Sequence, residues 1–192
     1  MSISLVKGQK VSLAKDGANL TRVFMGLGWD VAKKGFLGSL MGRTEEIDLD
    51  ASCLAFDANN EIIDIAFYNR LEILNGVIKH TGDNRTGAGD GDDEAIRVDL
   101  SRVPTAVKTM VFVVSSYQGH TFDKIANAYC RVVDEVTGKE LVKFNVSDSG
   151  GHTALIMAKF YKSNGEWKIH AVGEKTTGKT PIDLVPAVVQ TL

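Results

Sequence analysis

Cysteine, proline and any excess of one charge are all scarce in this chain of 192 residues. The two cysteines, Cys53 and Cys130, lie in apolar runs with no Cys-x-x-Cys spacing and no histidine at zinc-ligand distance. That excludes a disulfide framework or zinc ribbon and predicts two reduced core thiols. A formal net charge of -2 lacks the basic excess that phosphate backbones require, so nucleic acid is not an expected partner. No apolar run approaches the ~20 residues that span a bilayer. The opening Met-Ser-Ile-Ser-Leu-Val-Lys-Gly has no basic stretch leading into a long apolar one, so no transmembrane segment or signal peptide is expected and the predicted location is the cytoplasm.

What the chain does have is turn chemistry. Asn59-Asn60, Asn75-Gly76, Thr137-Gly138 and Asn164-Gly165 punctuate short apolar segments, as in all-β domains. β-branched, aromatic and alternating residues predict strands near 22–28, 47–56, 62–67, 95–100, 108–116, 127–134, 140–146, 155–162 and 166–172. Met110–Val114 lacks a polar face and reads as a central strand, whereas Ile96, Val98 and Leu100 alternate with polar neighbours. The repeated units Ile3–Lys7 and Val11–Lys15 predict a hairpin about Gly8. The expected fold is all-β: one β-sandwich domain over residues 1–192, with two mainly antiparallel sheets and a few short helical turns.

Two stretches break the rhythm. Residues 31–46 hold three glycines and mixed charge and read as a long mobile insertion whose Phe36, Leu37, Leu40 and Met41 are available to a partner or lipid surface. Residues 181–192 predict a short terminal helix that starts at Pro181 and is interrupted by Pro186.

Charge is concentrated in Gly82–Glu94, where Asp83, Asp90, Asp92, Asp93 and Glu94 face only Arg85. Crowded carboxylates repel one another, and a hard cation removes that cost. Calcium suits a loop offering oxygen donors almost exclusively, with glycines that let carbonyls turn inward. Magnesium needs stricter octahedral geometry, and zinc finds only His80 as a nearby nitrogen ligand. The spacing does not match an EF-hand. In Ile47–Cys53, strand alternation sets Asp48, Asp50 and Ser52 on the face opposite Ile47, Leu49, Ala51 and Cys53, so two carboxylates stand side by side. Asp30 ends a further strand. The same patterns also serve as solvated turns and wet strand faces, and Asp57, Asp64, Asp134 and Asp148 default to turn residues.

Catalytic motifs are fragmentary. Ser147-Asp-Ser-Gly-Gly151 has the string around a protease nucleophile without its base, Gly26-Leu-Gly28 is half a dinucleotide fingerprint, and no phosphate loop is expected at Gly178-Lys179-Thr180. No catalytic residue is assigned and an enzyme is not expected. The rival is a metal-assisted phosphate-ester hydrolase built on the same acids.

Gly26-Leu-Gly-Trp-Asp30, Ile47-Asp-Leu-Asp-Ala-Ser52, His80-Thr-Gly-Asp-Asn-Arg-Thr-Gly-Ala-Gly-Asp-Gly-Asp-Asp-Glu94 and Val98–Pro104 together resemble the TerD family of tellurium-resistance and stress-response proteins. Ile125–Arg131, Phe144-Asn-Val, His152–Met157 and Asn164-Gly-Glu-Trp167 look like its second half. The insertion at 31–46 and Asp48–Cys53 look most like the TerZ branch. The resemblance implies a calcium-binding adaptor or sensor in bacterial cytoplasm that holds more than one Ca2+. It implies action through protein partners, among them other tellurium-resistance proteins and membrane-associated complexes. Carried over, the metal ligands are Asp83, Asn84, Thr86, Gly89, Asp92, Asp93 and Glu94, with Asp30, Asp48 and Asp50 from strand ends. Ala88 stands where many members have Glu, one carboxylate fewer.

Overall fold

A computed structural model describes residues 3–4, 8–12, 14–15, 18–31, 47–86, 91–145 and 150–192. Its strands are β1 (Ile3–Ser4), β2 (Lys10–Ser12), β3 (Ala14–Lys15), β4 (Ala18–Asn19), β5 (Arg22–Val31), β6 (Leu49–Phe56), β7 (Ile62–Ala66), β8 (Glu72–Ile73), β9 (Ile78–His80) and β10 (Glu94–Asp99). They continue with β11 (Thr109–Ser116), β12 (Ile125–Asp134), β13 (Lys139–Asn145), β14 (Ala154–Ser163) and β15 (Glu166–Thr176). A single 3-10 turn (Phe122–Lys124) and one helix, α1 (Pro181–Val189), complete the described elements. No helix among the described residues is long and apolar enough to cross a membrane.

One sheet runs β1-β13-β12-β5-β10-β9-β8 and the other β2-β15-β14-β11-β6-β7, antiparallel except where β1 joins β13. The turn residues set the registers. Asn164 and Gly165 both take positive φ, so Ser163 pairs directly with Glu166 and β14 and β15 form a tight two-residue hairpin. Met25, Leu27 and Cys130 of the first sheet pack against Leu49, Ala51, Cys53 and Phe112 of the second. The expected sandwich is therefore present.

The predicted N-terminal hairpin is not. β1 lies parallel to β13 (Ile3 opposite Val142) and β2 antiparallel to β15 (Lys10 opposite His170), so the two copies of the repeat join different sheets. Both copies alternate as strands do. Splitting them covers one edge of each sheet, whereas pairing them together would leave both edges with bare backbone groups. The insertion, apart from Val31, lies outside the described residues, as do Ser147, Asp148 and Ser149.

β11 is buried throughout after Thr109 because both of its faces are covered. Phe112 meets Phe160 edge-on at 4.9 Å inside the sandwich, while Val111 and Val113 join Leu54, Phe56, Leu184 and Val188 beneath α1. Thr180 and Asp183 form a capping box at the helix start. The helix runs through Pro186 instead of breaking there. The proline removes only the bond to the Ile182 carbonyl, and Ile182 is an exposed residue whose acceptor can turn to water.

Alternation along β6 separates two chemistries. Leu49, Ala51, Cys53 and Ala55 enter the central core. Leu54 and Phe56 lie on the outer face under α1, and further along that face stand Ser52, Asp50 and, just before the strand, Asp48.

Cys53 and Cys130 are free and fully buried, in different sheets, and burial pushes both thiols up. Neither is positioned to react from the native state. A chromogenic disulfide reagent is expected to modify them at least about a hundredfold more slowly in buffer than in denaturant, since reaction requires opening of the core.

Candidate metal centre

The centre begins with a gap in a strand ladder. β7 meets β6 only from the Cys53–Ala66 pair onward, so on that edge Ala51 has no strand neighbour among the described residues. Two side chains from the opposite sheet take its place. Glu94 Oε2 accepts the Ala51 N–H at 2.8 Å, and His80 Nε2 lies 3.1 Å from the Ala51 carbonyl and 3.3 Å from Glu94 Oε2. The Gly82 N–H donates to His80 Nδ1 at 3.1 Å, which leaves the ring hydrogen on Nε2 to serve those acceptors. Both side chains are fully buried. Glu94 Oε1 also accepts the Asn84 N–H at 3.2 Å, so one carboxylate joins the acidic loop to β6.

With β6 fixed this way, Asp48 and Asp50 project toward Asp83, and one carboxylate oxygen from each lies within 4.8 Å of the others. Asp48 and Asp50 are buried and Asp83 is exposed, so the cluster reaches solvent on the loop side. Burial first, then the charges of Glu94, Asp48 and Asp83, push the Asp50 carboxyl up to about 8. Asp50 Oδ2 is buried and accepts no hydrogen bond among the described residues. An orphaned carboxylate oxygen among converging hard-oxygen donors fits calcium or magnesium chemistry and does not fit zinc.

The other residues singled out in the sequence are engaged elsewhere. Asp93 Oδ2 accepts the Trp29 N–H at 2.9 Å and its Oδ1 accepts from Asn84 Nδ2 at 3.0 Å. Burial, partly offset by the Trp29 bond and reinforced by Asp30, Asp92 and Glu94, raises its carboxyl above the ordinary range. Asn84 Oδ1 accepts from the Thr86 N–H, so Asn84 and Thr86 shape the loop. Asp30 lies at the exposed end of β5 and accepts from Asn127 Nδ2 at 2.9 Å. Asp92 is held by Arg131, whose Nε and Nη2 donate to it at 2.9 and 2.8 Å. Gly89 lies outside the described residues.

The glycines of Gly26-Leu-Gly-Trp-Asp30 have a steric reason. The acidic loop crosses the outer face of β5. A side chain at Gly26 would run into the Asp92 carboxylate, and one at Gly28 would meet the Gly91 carbonyl and the Tyr129 ring at 2.7 Å. Tyr129 OH pins the loop by donating to Gly91 O at 2.7 Å. Gly28→Ala, which meets backbone, is expected to cost about 2 kcal/mol in urea unfolding, and Gly26→Ala a similar amount, because the Asp92 carboxylate in its way is clamped by Arg131.

Sequence reasoning overlooked three features: His80 as a brace for β6, Arg131 as the partner of Asp92, and a complete phosphate-loop spacing. Gly173 stands five residues before Gly178, giving Gly-x-x-x-x-Gly-Lys-Thr through Thr180, which corrects the reading of that segment as lacking the motif. The structure gives it another use. Gly173 lies inside β15, Thr176 pairs with Ala154, and the Gly178 N–H donates to Thr153 Oγ1. The Lys179 and Thr180 N–H groups donate to Asp183 Oδ2, so a side-chain carboxylate occupies the place a phosphate would take.

Comparison with known proteins places the chain in a family. A TerD domain matches residues 1–181. The tellurium resistance protein TerZ of Serratia marcescens is 45% identical over 95% of this chain and 94% of its own length. General stress protein 16U of Bacillus subtilis is 40% identical over 93% of each. A solved homologue of a telluride resistance protein from Streptomyces coelicolor shares the fold, with a TM-score of 0.73 at 21% identity over 87% of this chain and 96% of that one. The chain thus belongs to the TerD-domain family, whose named members include tellurium-resistance and stress-response proteins.

Proposed function

We propose that this protein is a calcium-binding adaptor or sensor of bacterial tellurium resistance and stress response, acting in the cytoplasm through ion-dependent contacts with other proteins and without catalysis. The observation that carries the reading is the convergence of Asp48, Asp50 and Asp83, together with an Asp50 oxygen that is buried without a hydrogen-bond partner among the described residues. These three carboxylates are the ligands nearest to hand. Calcium there would supply positive charge and nothing more, relieving the repulsion that raises the Asp50 carboxyl and tying the exposed Asp83 segment to the buried end of β6. Glu94, His80, Asn84 and the Arg131–Asp92 pair hold the loop in place for that contact.

Titration calorimetry on chelator-stripped protein, with magnesium as competitor, tests the reading. Asp83→Asn is expected to weaken calcium binding at least about tenfold, because it removes a charged ligand that bears little of the fold. Asp92→Asn is expected to weaken it less than Asp83→Asn does, because Asp92 acts through Arg131. Equal losses in both variants, or no heat with the unmodified protein, would overturn the assignment.

A further inference from the structure

Beside the acid cluster stands an aromatic pair that a calcium ion does not need. β6 lies between β7 and β11, and each of these neighbours delivers a tyrosine just beyond the end level with the acids. Tyr68 follows the Cys53–Ala66 pair, and Tyr117 follows the Leu49–Ser116 pair. The two rings come from opposite sides of β6 and meet edge to face, 5.6 Å apart at 76°, so together they span the strand. Phe67 packs edge-on against Tyr68 at 5.3 Å. Burial first, then Tyr117 and the charges of Asp50 and Asp83, push the Tyr68 hydroxyl up, so the ring pair stands within electrostatic reach of those acids. Tyr117 remains half exposed.

The sheet there also has acceptors beyond the carboxylates. Ser115 lies directly opposite Asp50 on the same outer face, fully buried, and its Oγ has no hydrogen-bond partner among the described residues. Ser52, two residues along β6, is likewise buried with an unpartnered Oγ. Directly opposed residues on one face have Cβ atoms about 5 Å apart, so Ser115 and Asp50 are neighbours on that face. Neutral and anionic acceptors on one face, next to an electron-rich ring pair, match a group with three N–H donors and a delocalised attraction to π-systems.

We propose that this site binds a primary alkylammonium group and that calcium and the ammonium compete for it. The ammonium donates to Asp50, Ser115 and the neighbouring carboxylates, while its alkyl chain leaves beside the rings toward the exposed Asp83. The competition rests on the calcium reading, whereas the ammonium site stands on the rings and the serine as well. Two sources present this chemistry, a free polyamine and a lysine side chain of another protein.

Calorimetry at constant ionic strength, on the full chain in chelator, separates them with two probes: spermidine and N-acetyl-tetralysine amide. Saturable one-site binding of either supports the proposal, and the probe that binds identifies the source. Tyr117→Ala, a change at a half-exposed ring, is expected to weaken amine binding about fivefold and leave calcium affinity within about twofold. Ser115→Ala should weaken the amine further and Asp50→Asn should abolish it. Calcium should displace the bound amine. Amine binding with no calcium binding would refute the calcium reading and the competition alone. Failure of both probes, or a Tyr117→Ala variant that binds amine like the unmodified protein, overturns the proposal.

Discussion

Asp50→Asn is expected to make the calcium-free protein more stable while abolishing its response to calcium. The carboxyl of Asp50 is raised from 3.8 to about 8 in the folded state. Between those values the folded chain keeps a proton that the unfolded chain has released, so stability falls as pH rises through the window. Asparagine has no proton to lose, and the penalty disappears. We expect a gain on the order of 2–3 kcal/mol at pH 8.5, discounted for the solvent that enters from the Asp83 side. For a chain of this size that is a melting temperature higher by roughly 5–10 °C. At pH 5 the gap should be smaller, because only about one unit of the window above 3.8 has been crossed and the penalty grows with each further unit up to the folded value. Saturating calcium should raise the unmodified protein alone, and more at pH 8.5 than at pH 5, since binding must expel the Asp50 proton. Thermal melts at the two pH values, with chelator and with calcium, check all of this. A destabilised apo variant at pH 8.5 would show that the Asp50 carboxylate supports the fold instead of straining it.

The second large effect is on folding. Glu94→Ala is expected to cost about 3 kcal/mol in urea unfolding, because it strands the buried Ala51 N–H, releases the half-buried Asn84 N–H and leaves the His80 ring donor with the Ala51 carbonyl alone. Glu94→Gln keeps one acceptor oxygen and should cost less. Hydrogen exchange localises the damage: the Ala51 amide should lose protection in Glu94→Ala before those of the neighbouring Cys53 and Leu54 do. Uniform loss across β6 would mean that Glu94 stabilises the sheet generally and is not its local brace.

Local patterns in the sequence carried much of this architecture. Alternation marked Asp48 and Asp50 as outward and Ala51 as inward, and Asn164-Gly165 announced a hairpin with its register. The concentration of acids in residues 82–94 announced that something must offset their repulsion. What stayed hidden depends on residues distant in the chain. Asp92 reads like Asp83 in the sequence, yet Arg131, thirty-nine residues away, neutralises it, and periodicity carries no information about that partner. The repeat at the N-terminus looked like a hairpin because local spacing cannot reveal that two sheet edges, completed more than a hundred residues later, await it. Tyr68 and Tyr117 stand forty-nine positions apart and meet only because both flank β6.

That N-terminal arrangement also sets an order in time. β1 needs β13 and β2 needs β15, so the segment synthesised first has no place to bind until nearly the whole chain has been made. Closing loops of that length is slow compared with forming the Asn164-Gly165 hairpin, so these strands dock last in folding and detach first in thermal fluctuations. Each detachment bares a strand edge on both sheets at once, in a copy that is otherwise native. Two such copies at high concentration could exchange their first strands, which makes the start of the chain the place where this fold is most open to entanglement with its own kind.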